Sequence, residues 1–157
     1  MIKILYICLG NICRSPMAEY ITKDLLNKAQ LSSSFEVASA ATSSWEIGNP
    51  VYPPAREKLK EHGIDCTGKK ARQLTIDDYD YYNYLVVMDE SNLKDVIRLT
   101  NNDPQDKVSL LLSHIGQNRA VKDPWYTGDF EATWNDILMG CEALIDELKA
   151  KHHINEA

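Results

Sequence analysis

The sequence predicts an α/β fold of three layers, with an open, doubly wound parallel sheet of four strands between two layers of helices. Three observations carry that expectation. Short apolar runs alternate with helical patterns along the chain, the sign of strand–helix–strand units rather than of hairpins. The run Tyr84-Leu85-Val86-Val87-Met88 contains no charged residue, as befits a strand covered on both faces. The first apolar run, Ile4-Leu5-Tyr6-Ile7, passes through a tight loop directly into an amphipathic stretch, Met17 to Ala29, so strand, loop and helix follow one another at once.

Each element then has its own signal. Ile2 to Ile7 is the first strand. A helix is expected from Pro16 to Ala29, with Ser15 as its N-cap and Pro16 at its first position. The second strand is expected over Phe35 to Ser39, followed by a loop from Ala40 to Pro54 rich in Gly and Pro. Ala55 to His62 forms the next helix, stopped by Gly63. The stretch Thr67 to Leu74 is basic and polar and predicts no regular element. Thr75 caps a short helix to Tyr79, Tyr84 to Met88 is the third strand, Ser91 to Leu99 a helix, and Lys107 to Leu111 a weaker fourth strand. The longest helix starts at Asp129 or Phe130 and runs to Lys151, with Ile137, Leu138, Cys141, Leu144, Ile145 and Leu148 at helical spacing. The tail Lys151 to Ala157 is expected to fray. Strands in this order suit a flavodoxin-like or Rossmann-like sheet, which binds ligands beyond the carboxyl ends of its strands. Cys8 lies at one such end.

Composition narrows the classes. A chain of 157 residues, 44% apolar and 25% charged, predicts one globular domain, residues 1–157, with room for a core. There is no internal repeat or low-complexity tract. A net charge of −6 argues against nucleic acid as a partner. Cys8, Cys13, Cys66 and Cys141 form no Cys-x2-Cys pair, so no zinc site is expected. No run approaches the roughly 20 apolar residues of a membrane span, and the apolar stretch at the N-terminus is too short for a signal peptide. A cytoplasmic monomer without membrane attachment is the expectation.

The chemistry concentrates in Cys8-Leu9-Gly10-Asn11-Ile12-Cys13-Arg14-Ser15-Pro16. A loop between a buried strand and a helix N-terminus turns backbone N–H groups inward and binds an anion there. A thiol at that point has its thiolate stabilised and becomes a nucleophile. Arg14 adds a planar fork of donors matched to phosphate oxygens. Ser15 can donate its hydroxyl to Cys8, as well as cap the helix. Asn11 can orient the loop or adopt a left-handed conformation. Cys13, across the same tight loop from Cys8, is a candidate partner for it in a disulfide. Far along the chain, Asp123-Pro124-Trp125-Tyr126 offers a carboxyl group on extended backbone, the kind of group that protonates a leaving group and then activates water.

These strings resemble the low-molecular-weight protein tyrosine phosphatase (acid phosphatase) family. The resemblance also covers the Ser39 region, Ala71-Arg72-Gln73 and Met88-Asp89-Glu90-Ser91-Asn92. It implies hydrolysis of phosphotyrosine in proteins and of small aryl phosphates through a phosphocysteine intermediate, with no cofactor and no metal. It gives Cys8 the role of nucleophile, Arg14 that of phosphate clamp and Asp123 that of general acid. The phosphate-binding set is then Leu9, Gly10, Asn11, Ile12, Cys13 and Ser15. Trp45, Trp125 and Tyr126 join Ile12 as the wall that selects an aryl ester, although Trp45 taken alone reads equally well as core. The resemblance also implies a hydrogen-bond network between Asn11 and Ser39, and a supporting role for Asp89, for which a plain helix-start acid is an equal reading. Lys69 stands where the family often has His, and Ala41 and Ser43 where bacterial members often have Gly. Three other readings compete: an arsenate reductase on the same scaffold, which needs further cysteines in a nearby mobile segment, an inactive phosphate-binding module, and a flavin-binding module.

Overall fold

The computed structural model describes residues 1–154. Four parallel strands form one sheet in the order β2-β1-β3-β4. They are β1 (Ile2–Cys8), β2 (Phe35–Ala41), β3 (Tyr84–Val87) and β4 (Val108–Leu110). β1 pairs with β2 from Ile2↔Phe35 to Cys8↔Ala41, and with β3 from Ile4↔Tyr84 to Ile7↔Val87. The strand order reverses between β1 and β3, so the carboxyl end of β1 opens on the crevice where such sheets hold ligands.

Alternation along β1 divides the core in two. Ile4, Tyr6 and Cys8 pack into one buried cluster with Met17 and Ile21 of α1 (Arg14–Lys28) and with Ile137, Cys141 and Leu144 of α6 (Phe130–Lys151). Leu5 and Ile7 face the opposite layer, where Leu85 and Val87 of β3 meet Tyr79 of α3 (Ile76–Tyr81) and Val96 of α4 (Glu90–Leu99). A period of two thus feeds two helix layers from one strand. The three-layer expectation holds, and the charge-free run of β3 is covered on both faces.

Several boundaries move, for local reasons. α1 begins at Arg14 with Cys13 as N-cap, and no side chain caps it. Ser15 is therefore not the N-cap but lies in the first turn, its hydroxyl engaged by Cys8 and Asn11. β2 runs on to Ala41 because the stretch beyond Gly68, for which no element was expected, is extended and pairs with it: Ala41 N–H donates to the Arg72 carbonyl at 2.8 Å, and Leu74 N–H to that of Ala41 at 2.7 Å. α2 (Pro53–Glu61) starts two residues earlier than expected, on the Pro pair itself, and ends before Gly63 at φ 74°. Thr75 does start α3, where its N–H donates to Asp78 Oδ2 at 2.8 Å. α4 starts at Glu90, because Asp89 caps it. The loop at Asp123 contains one helical turn, α5 (Pro124–Thr127), which the sequence reading missed. Of the tail expected to fray, Lys151 still belongs to α6 and residues 155–157 lie outside the described residues.

Candidate active site

At the carboxyl end of β1 the chain turns through residues 9–13 into α1. Its carbonyls are pulled outward by neighbouring segments. Cys8 C=O accepts from Thr42 N–H at 3.0 Å, Leu9 C=O from Ser43 N–H at 3.1 Å and Ser43 Oγ at 2.8 Å, and Ile12 C=O from Tyr52 N–H at 2.9 Å. In a trans peptide the N–H points opposite its carbonyl, so the amides of Gly10 and Cys13 face the loop centre. Ser43 thus holds the loop through both its amide and its hydroxyl. Asn11 sits at φ 59° and takes the left-handed turn the loop needs. The first turn of α1 contains no acidic residue, so its positive end is free to meet an external anion.

Cys8 Sγ lies 3.0 Å from Ser15 Oγ and 3.4 Å from Ser15 N. Arg14 is only 3% exposed. Its Nη1 donates to Asp89 Oδ2 at 2.8 Å and to the Val121 carbonyl at 2.9 Å, and its Nη2 lies 3.6 Å from Asp123 Oδ2. Burial works against the guanidinium charge, but the Cys8 sulfur and the carboxylates of Asp89 and Asp123 outweigh it and raise its pKa. Asp89 does both things considered for it: Oδ1 caps α4 by accepting Asn92 N–H at 2.8 Å while Oδ2 holds Arg14. Asp123 caps α5, its Oδ1 accepting Trp125 N–H at 3.0 Å.

A cleft of about 230 Å³ opens over this loop. Cys8, Leu9, Gly10, Ile12, Cys13 and Arg14 form its floor, and Asp123, Trp45, Trp125 and Tyr126 line its wall. Trp45, Trp125 and Tyr126 are all exposed, so the core reading of Trp45 is wrong. Tyr52 packs on Trp125 with ring centroids 4.7 Å apart and braces that wall. Asn11, Ser15 and Ser39 are buried beneath the loop rather than lining the cleft. There Asn11 Nδ2 donates to Ser15 Oγ at 2.8 Å and to Ser39 Oγ at 2.9 Å, which is the network expected between Asn11 and Ser39.

The sequence reading missed three contributors. Glu46 lines the cleft. Val121 offers its carbonyl to Arg14, which no side-chain pattern can announce. Glu19 accepts the Ser39 hydroxyl at 2.6 Å from a buried position one turn beyond Ser15. Spacing could have found that one, since i and i+4 share a helix face. The other cysteines are unlike Cys8. Burial pushes the thiols of Cys13 and Cys66 up, and that of Cys141 up to about 11. Cys66 and Cys141 belong to the core cluster and do not line the cleft.

Comparison with known proteins agrees with this geometry. The family model described as low molecular weight phosphotyrosine protein phosphatase matches residues 3–154. The chain belongs to that family. It is 36% identical over 156 residues to the low molecular weight protein-tyrosine-phosphatase YfkJ of Bacillus subtilis, covering 98% of this chain and all of that protein. The crystal structure of YfkJ superposes with a TM-score of 0.93 at 37% identity, covering 96% of each chain. The human low molecular weight phosphotyrosine protein phosphatase is 38% identical over 149 residues, 92% of this chain and 94% of the relative. The crystal structure of a Drosophila arginine phosphatase is also similar, with a TM-score of 0.85 and 33% identity over 94% of this chain and 98% of that one. No helix among the described residues is long and apolar enough to cross a membrane.

Proposed function

We propose that this phosphatase hydrolyses phosphotyrosine in proteins and small aryl phosphates, using Cys8, Arg14 and Asp123. The observation that carries the reading is the convergence of a sulfur, a guanidinium and a carboxylate on one cleft. Cys8, Arg14 and Asp123 all line it, and Asp123 lies 3.6 Å from Arg14.

In this reading the Cys8 thiolate attacks phosphorus, and the bond to the aryl oxygen breaks. Asp123, protonated, gives its proton to that oxygen, so a neutral phenol leaves. The inward amides of the loop and the Arg14 fork hold the three equatorial oxygens, where charge spreads in the transition state. Water then attacks the phosphocysteine, Asp123 takes its proton, and Cys8 leaves again as thiolate. Ser15, 3.0 Å from the sulfur, makes it a better leaving group. Asp89 and the Val121 carbonyl fix the angle of the fork. The aromatic wall of Trp45, Trp125 and Tyr126 stands above the floor, so a phosphate on a long aryl stem reaches the sulfur with its ring against aromatic faces. Such a step needs only positioning and charge, which these groups supply without a metal.

We read the chain as one phosphatase domain acting as a cytoplasmic monomer that binds no nucleic acid. One sheet with a core cluster on each face supports the first point. Four free cysteines suit a reducing compartment, and a net charge of −6 disfavours a polyanionic partner. An arsenate reductase relay is disfavoured because Cys66 and Cys141 are core residues. The deciding experiment measures hydrolysis by the purified protein of phosphotyrosine, phosphoserine and phosphoarginine peptides, and thiol-coupled arsenate reduction. Phosphotyrosine is expected to be turned over far faster than the others. A preference for any of the other three would overturn the substrate assignment.

A further inference from the structure

The turn that carries Asp123 has little of its own to hold it. Of α5 only Pro124 is buried, while Trp125 and Tyr126 are exposed. A single helical turn is too short to be stable by itself. The segment is anchored before the turn, where Val121 N–H donates to the Met88 carbonyl at 2.9 Å and Thr133 Oγ1 to the Lys122 carbonyl at 3.2 Å. It is anchored again where Phe130 opens α6. Between those points the Asp123 carboxyl is tied to its neighbour. Oδ1 accepts Trp125 N–H at 3.0 Å, and Oδ2 lies 3.6 Å from Arg14 Nη2. A shift of Trp125 therefore carries the carboxyl with it.

Trp125 in turn rests on Tyr52. Their ring centroids are 4.7 Å apart with the planes at 46°, and the Tyr52 ring lies 6.2 Å from that of Phe130. Both separations are those of attractive aromatic pairs. One ring is thus shared between the start of α6 and the turn of α5. Tyr52 is itself fixed. Pro53 restricts it to extended backbone, at φ −54° and ψ 132°, and its N–H donates to the Ile12 carbonyl of the phosphate loop at 2.9 Å. Its amide holds the loop that meets the anion, and its ring holds the turn that brings the carboxyl.

We infer that Tyr52 is a positioning residue that sets where the Asp123 carboxyl stands over the phosphate loop, acting through the ring and then the amide of Trp125. This deepens the reading of Asp123 as proton donor and rests on it. A proton passes efficiently only when donor and acceptor come within hydrogen-bond reach, and a misplacement of about 1 Å can cost about a hundredfold. Because the amide and the ring of Tyr52 serve different partners, a change of side chain separates them. The loop keeps its contact at Ile12, and the acid loses its support.

The test compares Tyr52→Leu and Tyr52→Phe in the full chain, each alone and combined with Asp123→Asn. Turnover is measured on aryl phosphates of graded leaving ability, with vanadate affinity and thermal melting beside it. Tyr52→Leu is expected to slow poor leaving groups by about ten- to a hundredfold and activated ones far less. Vanadate affinity should stay near that of the parent, because Arg14 and the loop amides remain. Tyr52→Phe keeps the ring and should behave as the parent does. Beside Asp123→Asn the Tyr52→Leu loss should vanish, since a residue that acts through another adds nothing once that other is gone. The indole N–H resonance of Trp125, identified with Trp125→Phe, should shift in Tyr52→Leu and hold in Tyr52→Phe. A Tyr52→Leu protein with the parent's leaving-group dependence overturns the inference. So does equal slowing across the series, or a loss that persists undiminished beside Asp123→Asn. A loss that merely follows vanadate affinity and melting temperature overturns it too, because a purely structural role gives that pattern. Should Tyr52→Leu fail to fold, Tyr52→Gln is read in the same way. An Asp123→Asn protein that keeps the parent's leaving-group dependence would sink the reading of Asp123 as proton donor, and this inference with it. The two failures are told apart by which variant keeps that dependence.

Discussion

Asp89 uses its two oxygens for two different tasks, and one substitution separates them. Oδ1 caps α4 through Asn92 N–H, and Oδ2 meets Arg14 Nη1, each at 2.8 Å. In Asp89→Asn only one of those positions can hold an oxygen. If the oxygen keeps the cap, an NH2 group faces the guanidinium, donor against donor. The loss is one hydrogen bond to a charged group, about 1.5–3 kcal/mol. Removing a partner from a fully buried ion pair costs about 3–5 kcal/mol. The smaller range applies here, because the Asp89 side chain is 25% exposed and Arg14 keeps the Val121 carbonyl and Asp123.

Asp89→Asn is therefore expected to lower unfolding free energy by about 2 kcal/mol. Asp89→Ala should lose about 1 kcal/mol more, because Ala cannot cap α4. Urea unfolding followed by circular dichroism measures both as shifts in midpoint at constant slope. The catalytic consequence is separate: a loosened Arg14 should lower kcat/KM on aryl phosphates by about tenfold or more. Asp89→Asn and Asp89→Ala of equal stability would show that the cap contributes nothing. An Asn variant within about 0.5 kcal/mol of the parent, with unchanged kcat/KM, would refute the claim that Asp89 holds the clamp.

Four further outcomes are expected. Cys8→Ser should abolish aryl phosphate turnover while retaining vanadate binding by calorimetry; more than trace turnover removes Cys8 as nucleophile. Asp123→Asn should slow poor leaving groups by about a hundred- to ten-thousand-fold and activated ones far less, and equal slowing across a leaving-group series counts against Asp123 as proton donor. Mild peroxide should oxidise Cys8 to the sulfenic acid, which condenses with the Cys13 thiol to a disulfide and water. Burial holds Cys13 protonated, so condensation should speed up with pH, and peptide mapping beside a Cys13→Ser variant detects or excludes the bond. Burial also raises the Cys141 pKa from 9.0 to about 11, so the stability it contributes is complete below pH 9 and is lost as pH rises through 11; unfolding free energy should fall by on the order of 2–3 kcal/mol across that window, and less in Cys141→Ala.

The parts of the site legible in sequence are those built from neighbours along the chain. Cys8 to Pro16 carries nucleophile, loop and clamp within nine residues, and the strand before it places them at a strand's carboxyl end. The charge-free run at Leu85 to Val87 declared a strand buried on both faces for the same local reason. What failed to show was either backbone or distant. The carbonyl of Val121 and the amide of Arg72 act without their side chains, so no residue type marks them. The N-cap expected of Ser15 was overridden because Cys8 and Asn11 compete for its hydroxyl, a tertiary effect stronger than capping preference. The turn of α5 is four residues long and depends on Asp123 as its cap, too short for periodicity to reveal.

The loop that binds phosphate is therefore local in chemistry and global in support. Its outward carbonyls are held by Thr42, Ser43 and Tyr52, all from the stretch between β2 and α2. Its one left-handed residue, Asn11, is clamped from two further directions, by the Arg72 amide and by the Ser39 hydroxyl. Those two constraints act on opposite ends of one amide group, and both demand the same orientation. Arg72 N–H requires an oxygen, and Ser39, already donating to Glu19, requires a donor. Removing either one leaves the other to hold Asn11. A single loss there should weaken the site, whereas a combined loss of the Ser39 hydroxyl and of the Arg72 segment should free the amide to turn and cost more than the two losses added.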